Sequence, residues 1–194
     1  MGGALEQSGE YRIGASREDV WAALNDPDVL GACIEGCQRV EKLDDEHFDV
    51  VVKAKIGPVS ATFQAALELS ELNPPASYVI NGGAKGGAAG FAKGSATVTL
   101  SEDDGATQLQ YAVKANVGGK LAQIGSRLVD GAARKMADDF FAAFSQKLDP
   151  DSVATPAEAP DAQAAEEKQY ESSGQWKIWL IAFVVLGAAI ILTI

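Results

Sequence analysis

The sequence contains little of what most metal and catalytic sites are built from. Its 194 residues include one histidine, His47, and two cysteines, Cys33 and Cys37. Two cysteines and one histidine are one ligand short of a closed tetrahedral zinc site, so we predict no metal site and interpret both cysteines as reduced, buried thiols. Residues 1–10 lack the apolar run of a signal peptide, which favours a domain that stays in the cytoplasm.

Basic residues are also scarce. Lys and Arg number 16 against 27 Asp and Glu, which gives a net charge of -11. Nucleic-acid affinity comes largely from Lys and Arg that displace counterions, and no basic stripe interleaved with aromatic residues is visible in the sequence. We therefore predict that nucleic acid is not a partner.

The titratable residues do not form an evident catalytic pair. His47 follows three consecutive acids at 44–46, where a solvated turn is expected. Asp138 and Asp139 are adjacent on a predicted helix, so their side chains should point about 100° apart and not act together as acid and base. The sequence therefore predicts that the protein is not an enzyme.

A glycine-rich segment runs from Gly82 to Gly90 and contains Lys85. It lacks the Gly-Lys-Ser/Thr ending that opens a helix in a phosphate-binding loop. The later Ala92-Lys93-Gly94 does not supply that ending, because it enters a predicted strand and not a helix. Two interpretations stay open for the segment. It is either a mobile lid at the mouth of a cavity or a flexible connection.

One long hydrophobic run is present. Residues 178–194 read IWLIAFVVLGAAIILTI and carry no charge. As a helix they would be about 26 Å long, which just spans a thin hydrocarbon core. Trp176 and Trp179 would lie at the headgroup layer, with Lys177 beside them. We expect residues 176–194 to be a single-pass anchor in the cell inner membrane, with the preceding domain on the cytoplasmic side.

The segment before this run is polar. Residues 149–175 are rich in Ala, Pro, Glu and Ser and have few large apolar side chains. Such a composition cannot build a core, so we predict a flexible acidic linker with an r.m.s. reach of about 30 Å.

Residues 1–148 predict one α+β domain. A strand over about 9–15 is followed by two short helices, of which the first begins at Ser16 and the second ends at Gly36. Alternating apolar residues then predict antiparallel strands over 48–56, 59–69, 77–81, 91–101 and 107–117. A helical period follows from about residue 120 to 148. Such a helix should lie across the concave face of the curved sheet. The small residues at inward positions are consistent with either close packing of the helix on the sheet or an apolar cavity between them.

Four separated blocks carry a family resemblance, in order and with similar spacing: VWAALNDPDVLGACIEGCQRVEKL, KIGPVSATF, GFAKGSATVTL and GGKLAQIGSRLVDGAARKMADDFFAAF. Over about residues 9–148 the chain resembles the CoxG-like family, the G subunit of carbon monoxide dehydrogenase, within the START-like, or SRPBCC, superfamily. The resemblance implies a helix-grip fold, in which an antiparallel sheet wraps the long C-terminal helix around a hydrophobic cavity. It also implies the aerobic carbon monoxide dehydrogenase complex as partner, recruited to the cytoplasmic membrane, with electrons passed on to quinone.

A cavity held at a bilayer is suited to an isoprenoid quinone, menaquinone or ubiquinone, and we expect no covalent cofactor. As cavity lining the pattern favours three strand residues facing three helix residues, namely Phe63, Phe91, Tyr111, Leu121, Ile124 and Leu128. The alternative for each is an ordinary core position. The Tyr111 hydroxyl could donate a hydrogen bond to a quinone carbonyl. Two other functions stay open: a START-like cyclase or hydrolase acting on a hydrophobic substrate, and a lipid carrier.

Overall fold

The structure is a computed structural model, which describes residues 3–149. The predicted linker beyond residue 149 and the predicted anchor at 176–194 lie outside this range. Within residues 3–149, no helix is both long enough and apolar enough to cross a membrane.

The described residues form seven strands and four α-helices. In chain order they are β1 (Gly3–Ile13), α1 (Arg17–Leu24), α2 (Pro27–Cys33), β2 (Cys37–Lys42), β3 (His47–Ile56), β4 (Val59–Asn73), β5 (Ser77–Lys85), β6 (Phe91–Asp103), β7 (Ala106–Gly118), α3 (Lys120–Gln123) and α4 (Ser126–Leu148). A single 3₁₀ turn, Gly87–Ala89, connects β5 to β6.

All seven strands belong to one antiparallel sheet in the order β1-β7-β6-β5-β4-β3-β2. Each strand from β2 to β7 pairs with the next strand in sequence, and β1 closes the far edge on β7. Val52 pairs with Phe63 across the β3–β4 hairpin, and both are buried. The alternation predicted for this hairpin is therefore confirmed, because its apolar set faces one side of the sheet.

The first two helices begin where their capping residues indicate. The Ser16 hydroxyl accepts a hydrogen bond from the Asp19 backbone N–H at 3.2 Å. Asp26 accepts from the backbone N–H groups of Asp28 and Val29, and Pro27 stands at the first position of α2. These side chains satisfy donors that a helix start leaves unpaired.

Helix α4 covers the concave face and packs on β1, β3 and α2. Its buried residues recur at helical spacing: Ala132, Ala133, Met136, Ala137, Phe140, Phe141, Phe144 and Ser145. The predicted fold class is confirmed for the described residues, as an antiparallel sheet that wraps a long helix.

Three strand predictions need correction. Strand β2 was not predicted, because its sequence CQRVEK has one large apolar residue and four of its six positions are exposed. Strand β1 begins at Gly3, six residues before the predicted start at Gly9. Strand β5 continues to Lys85, so the first half of the glycine-rich segment is sheet and not loop. Backbone pairing with β4 and β6 decides this, although glycine itself disfavours strands.

The predicted single helix from residue 120 is also wrong, because the chain breaks between α3 and α4. Gly125 has a φ of +93°, a conformation that no residue adopts within a right-handed helix. Leu128 shares the face of Ala132 and Met136 within α4, but it is 55% exposed because it lies in the first turn of the helix, beside the β3–β4 turn at the end of the sheet.

Candidate functional site

An apolar cavity lies on the concave face, between the β2–β5 part of the sheet and the helices α1, α2 and α4. Its volume is about 60 Å³. Ten of its eleven lining side chains are aliphatic or phenylalanine, and the eleventh is a tyrosine: Leu24, Leu30, Ile34, Val40, Phe48, Val50, Leu67, Leu69, Ile80, Phe140 and Tyr78. A space with this lining favours an apolar molecule over water, because it offers water almost no hydrogen bonds.

Tyr78 is the one polar side chain on the wall of this cavity. It is 4% exposed, and its ring packs edge-on against Trp21 of α1 at a centroid distance of 5.2 Å. Burial raises the pKa of its hydroxyl, so the group stays protonated at physiological pH. Among residues 3–149 no side chain or backbone group makes a hydrogen bond with this hydroxyl. It is therefore a donor without a partner beside an apolar space.

A second group of polar side chains lies between β1, β7 and α4. The Tyr11 hydroxyl donates to Asp138 Oδ1 at 2.6 Å, and Gln7 Nε2 donates to the Tyr111 hydroxyl at 3.1 Å. The Tyr11 ring stacks on Phe141 at a centroid distance of 4.2 Å. Burial is the main reason that the pKa values of both tyrosines are raised. These partners occupy the hydroxyls, so the cluster ties α4 to the sheet.

A polar cleft of about 370 Å³ lies beside this cluster, between β1 and the first turns of α4. Two arginines, Arg127 and Arg134, and two acids, Glu6 and Asp130, are among its lining residues. Because the four charges balance, the cleft offers neither a net attraction for an ion nor an apolar wall for a lipid.

The six residues predicted as ligand contacts occupy three kinds of position. Phe63, Tyr111 and Leu121 are buried, Ile124 is half-buried, and Phe91 and Leu128 are 48% and 55% exposed. The structure gathers part of the set at one end of the sheet, where Ile124 and Leu128 approach Gly57 of the β3–β4 turn. None of the six lines the apolar cavity described above. Their role as ligand contacts stays a prediction.

The residues that do line the cavity include aromatic side chains that sequence reasoning did not select. Phe48 begins the apolar alternation of β3, Phe140 belongs to the predicted face of α4, and Tyr78 is the second residue of β5. Alternation in the two strands and the helical period of α4 mark all three as inward, but these patterns do not show which end of the sheet they share. Only the strand register and the course of α1 and α2 bring them together.

The other singled-out residues lie where a structural role was expected. His47 is at the start of β3, with its Nδ1 2.8 Å from an Asp44 carboxylate oxygen, and its ring is largely solvated. Cys33 is buried and Cys37 is half-buried, and both are free thiols. Within residues 3–149, no three His, Cys, Asp or Glu side chains come close enough to hold a metal ion.

The comparison with protein families identifies the family to which this domain belongs. The family model for the G subunit of carbon monoxide dehydrogenase (CoxG) matches residues 9–149. The chain belongs to the CoxG family. A search of the curated proteins found no match.

Solved structures agree with the CoxG assignment at the level of fold. A conserved protein from Geobacillus kaustophilus is 30% identical, with a TM-score of 0.69, over 74% of this chain and 94% of that one. A START superfamily protein from Mycobacterium smegmatis superimposes with a TM-score of 0.57 at 11% identity, over 76% and 99% of the two chains. The Zhui aromatase/cyclase from Streptomyces sp. R1128 gives 0.55 at 13% identity, over 75% and 94%. The last two show a shared START-like fold only.

Proposed function

We propose that this CoxG-family protein is a membrane-anchored protein that binds a quinone in its apolar cavity. In this role it holds aerobic carbon monoxide dehydrogenase at the cytoplasmic membrane and couples the enzyme to the quinone pool. The family name supplies the dehydrogenase as partner. The apolar run at residues 178–194 supports the anchor.

The observation that carries the proposal is the cavity with its single unpartnered hydroxyl. A quinone has an apolar ring and tail and two carbonyl oxygens that accept hydrogen bonds. Ten apolar lining residues suit the ring and tail, and the Tyr78 hydroxyl suits one carbonyl. Because Tyr78 is already desolvated, a new hydrogen bond there would recover part of the cost of its burial.

The cavity must widen to admit such a ligand. Its volume of about 60 Å³ is well below the roughly 300–1,000 Å³ of sites that enclose small organic molecules. Helices α1 and α2 are short, eight and seven residues, and they form the wall opposite the sheet. We propose that they move outward on binding, since the paired strands cannot separate without losing hydrogen bonds.

A binding role suits the chemistry of the lining better than catalysis. The one titratable side chain on the cavity wall is Tyr78, whose pKa is raised and which therefore is a poor general base near neutral pH. An enzyme acting on a substrate in this cavity would need a second group to move a proton.

Quinone extraction from purified full-length protein tests the proposal. We expect a quinone at close to one per chain, and its loss in Leu67→Trp, which fills the cavity from β4. Ala66→Trp is the matched control, because Ala66 is the exposed neighbour on the opposite face of the same strand. Tyr78→Phe should weaken binding about tenfold, as expected for one lost hydrogen bond. Equal quinone content in Leu67→Trp and Ala66→Trp would contradict this site.

The sequence-predicted contacts are tested by the same assay. Leu128→Trp enlarges an exposed residue outside the observed cavity. Loss of quinone in Leu128→Trp but not in Leu67→Trp would place the ligand at the end of the sheet near Gly57 instead.

Anchoring and recruitment need a separate measurement. Deleting residues 176–194 should release the protein from membranes and, with it, a share of the dehydrogenase. A deleted protein that still sediments with membranes, from cells without the dehydrogenase, would rule out this segment as the only anchor.

A further inference from the structure

The described domain has a strongly asymmetric charge distribution that its overall acidity conceals. One end of the sheet carries the β3–β4 turn, the β5–β6 connection and the passage from β7 into α4. We call this end, which comprises residues 53–60, 85–93 and 117–128, the basic end. These segments contain six basic residues and no Asp or Glu: Lys53, Lys55, Lys85, Lys93, Lys120 and Arg127. All six are exposed, and none forms an ion pair within residues 3–149. Arg127 shares the polar cleft with Glu6 and Asp130, so the other five carry the excess positive charge.

The opposite end of the sheet has the reverse composition. Its three turns, residues 43–46, 70–76 and 102–105, contain seven acids and no Lys or Arg. Three of these acids form ion pairs, with Arg12, Arg17 and Lys42, so the difference in charge between the two ends comes mainly from the unpaired cations of the basic end. In the field of an anionic surface a body with this difference in charge turns its basic end toward that surface.

Apolar side chains are exposed among these cations. Phe91 is 48% exposed and pairs directly with Lys85 across β5 and β6, so the two side chains lie on the same face of the sheet, and Lys93 follows on that face. Leu128 is 55% exposed beside the β3–β4 turn. Cations around an exposed aromatic ring are the composition of surfaces that rest in the headgroup layer of a bilayer.

We infer that the basic end is the surface by which this domain docks on an anionic lipid bilayer, with Phe91 and Leu128 entering the headgroup layer. This inference rests on the proposed anchoring function and adds the orientation of the domain. The cytoplasmic leaflet carries the negative surface potential that the six cations require. The predicted anchor at 176–194 would hold the domain next to a bilayer, which favours a lipid surface over an acidic protein surface as the occupant of the basic end.

The predicted linker permits this orientation. Leu128 and Leu148 are 20 residues apart on α4, which at about 1.5 Å per residue separates the basic end from the chain's exit by about 30 Å. The predicted r.m.s. reach of residues 149–175 is also about 30 Å. The anchor and the basic end can therefore meet the same bilayer.

The experiment uses the full chain reconstituted in vesicles, with Cys33→Ala and Cys37→Ala so that one introduced thiol carries an NBD fluorophore. The fluorophore is attached through Ala88→Cys at the basic end or through Leu72→Cys at the opposite end. On vesicles of phosphatidylglycerol and phosphatidylcholine, we expect a blue shift and quenching by spin-labelled lipids at position 88 only. The effect should vanish on pure phosphatidylcholine and at high salt.

Charge reversal provides the matched comparison. Lys85→Glu with Lys93→Glu should weaken docking at least about tenfold, because each basic residue near an anionic surface contributes about a fivefold effect. Arg39→Glu with Lys147→Glu changes the net charge equally but lies outside the basic end, and should dock normally. Equal docking by both double variants, or quenching at position 72 instead of 88, would overturn the inference.

Two further outcomes separate this inference from the proposed function. In the first, the fluorophore at position 88 stays solvated on vesicles but becomes protected when the dehydrogenase is added. This result would make the basic end a protein interface and overturn lipid docking. Quinone is extracted from the same samples. Retained quinone without docking contradicts only the basic-end inference, whereas docking without quinone contradicts only the ligand proposal.

Discussion

The hydroxyl of Tyr11 donates a 2.6 Å hydrogen bond to the carboxylate of Asp138, which ties β1 at the edge of the sheet to the middle of α4. The same tyrosine ring stacks on Phe141, one turn further along the helix. The contact joins residues 127 positions apart in sequence, so it forms only when the helix has closed on the sheet. It is a point at which the fold can be tested directly.

Tyr11→Phe removes this hydrogen bond while keeping the stacked ring. We expect the free energy of unfolding to fall by about 1–2 kcal/mol, since the acceptor is a carboxylate but is also accessible to water. Denaturant unfolding followed by circular dichroism measures the change. The double variant Tyr11→Phe with Asp138→Asn should lose less stability than the sum of the losses in the two single variants. Strictly additive losses would mean that the two side chains do not interact.

Alkaline pH should unfold the domain. Burial raises the pKa values of Tyr11, Tyr78 and Tyr111 above the usual value near 10. At a pH between its unfolded and folded pKa values, an acid whose pKa is raised by folding keeps its proton in the folded state and loses it in the unfolded chain. Stability is therefore fully present below pH of about 10 and declines as the pH rises above it. Tyr170 of the predicted linker should ionise near pH 10, and the remaining tyrosinate absorbance should rise together with the loss of the circular dichroism signal; ionisation of all four tyrosines near pH 10 without unfolding would contradict this.

The single histidine gives a clean titration. The hydrogen bond to Asp44 raises the pKa of His47 above its usual 6.5. Its stabilising effect is present below pH of about 6.5 and is lost as the pH rises through the raised value. NMR titration should show one imidazole with a midpoint above 6.5, and Asp44→Asn should lower that midpoint. An unchanged midpoint in Asp44→Asn would mean that the contact is absent in solution.

Two neighbouring glycines should respond differently to alanine. Gly90 has a φ of +115°, and a Cβ there would collide with the Gly118 carbonyl oxygen of β7. Gly87 has a φ of +56°, with open space around its Cβ position. We expect Gly90→Ala to cost several kcal/mol, beyond the roughly 1 kcal/mol expected for Gly87→Ala. Thermal unfolding compares the two, and similar melting temperatures would show that β7 does not approach Gly90 this closely.

Local patterns were sufficient for much of the architecture. The alternation in β3 and β4 predicted their hairpin, because burying one face of a strand requires a period of two. Ser16 predicted the start of the first helix, because a short polar side chain before an apolar period satisfies free backbone donors. The sequence blocks in residues 9–148 predicted the family, and the match over residues 9–149 confirmed it.

The errors occurred where long-range contacts outweighed local preference. Strand β2 has a mostly polar sequence and exists because β3 offers it an unpaired edge. The glycines at 82 and 83 are in a strand because β4 and β6 pair with them on both sides. Leu128 has the helical spacing of a core residue but is exposed, because it lies in the first turn of α4 at the end of the sheet, which a count of apolar residues does not reveal.

The sequence by itself determined the sheet-and-helix class and the family, and its apolar run at 178–194 predicts a membrane anchor. Each of these follows from short-range pattern and composition. Only the tertiary structure decided which apolar residues share a cavity with Tyr78, because strand register and the paths of α1 and α2 set that neighbourhood. It alone also revealed the basic end. Six cations spread from Lys53 to Arg127 meet there because antiparallel strands return to the same end of the sheet, and no net charge of -11 predicts their convergence.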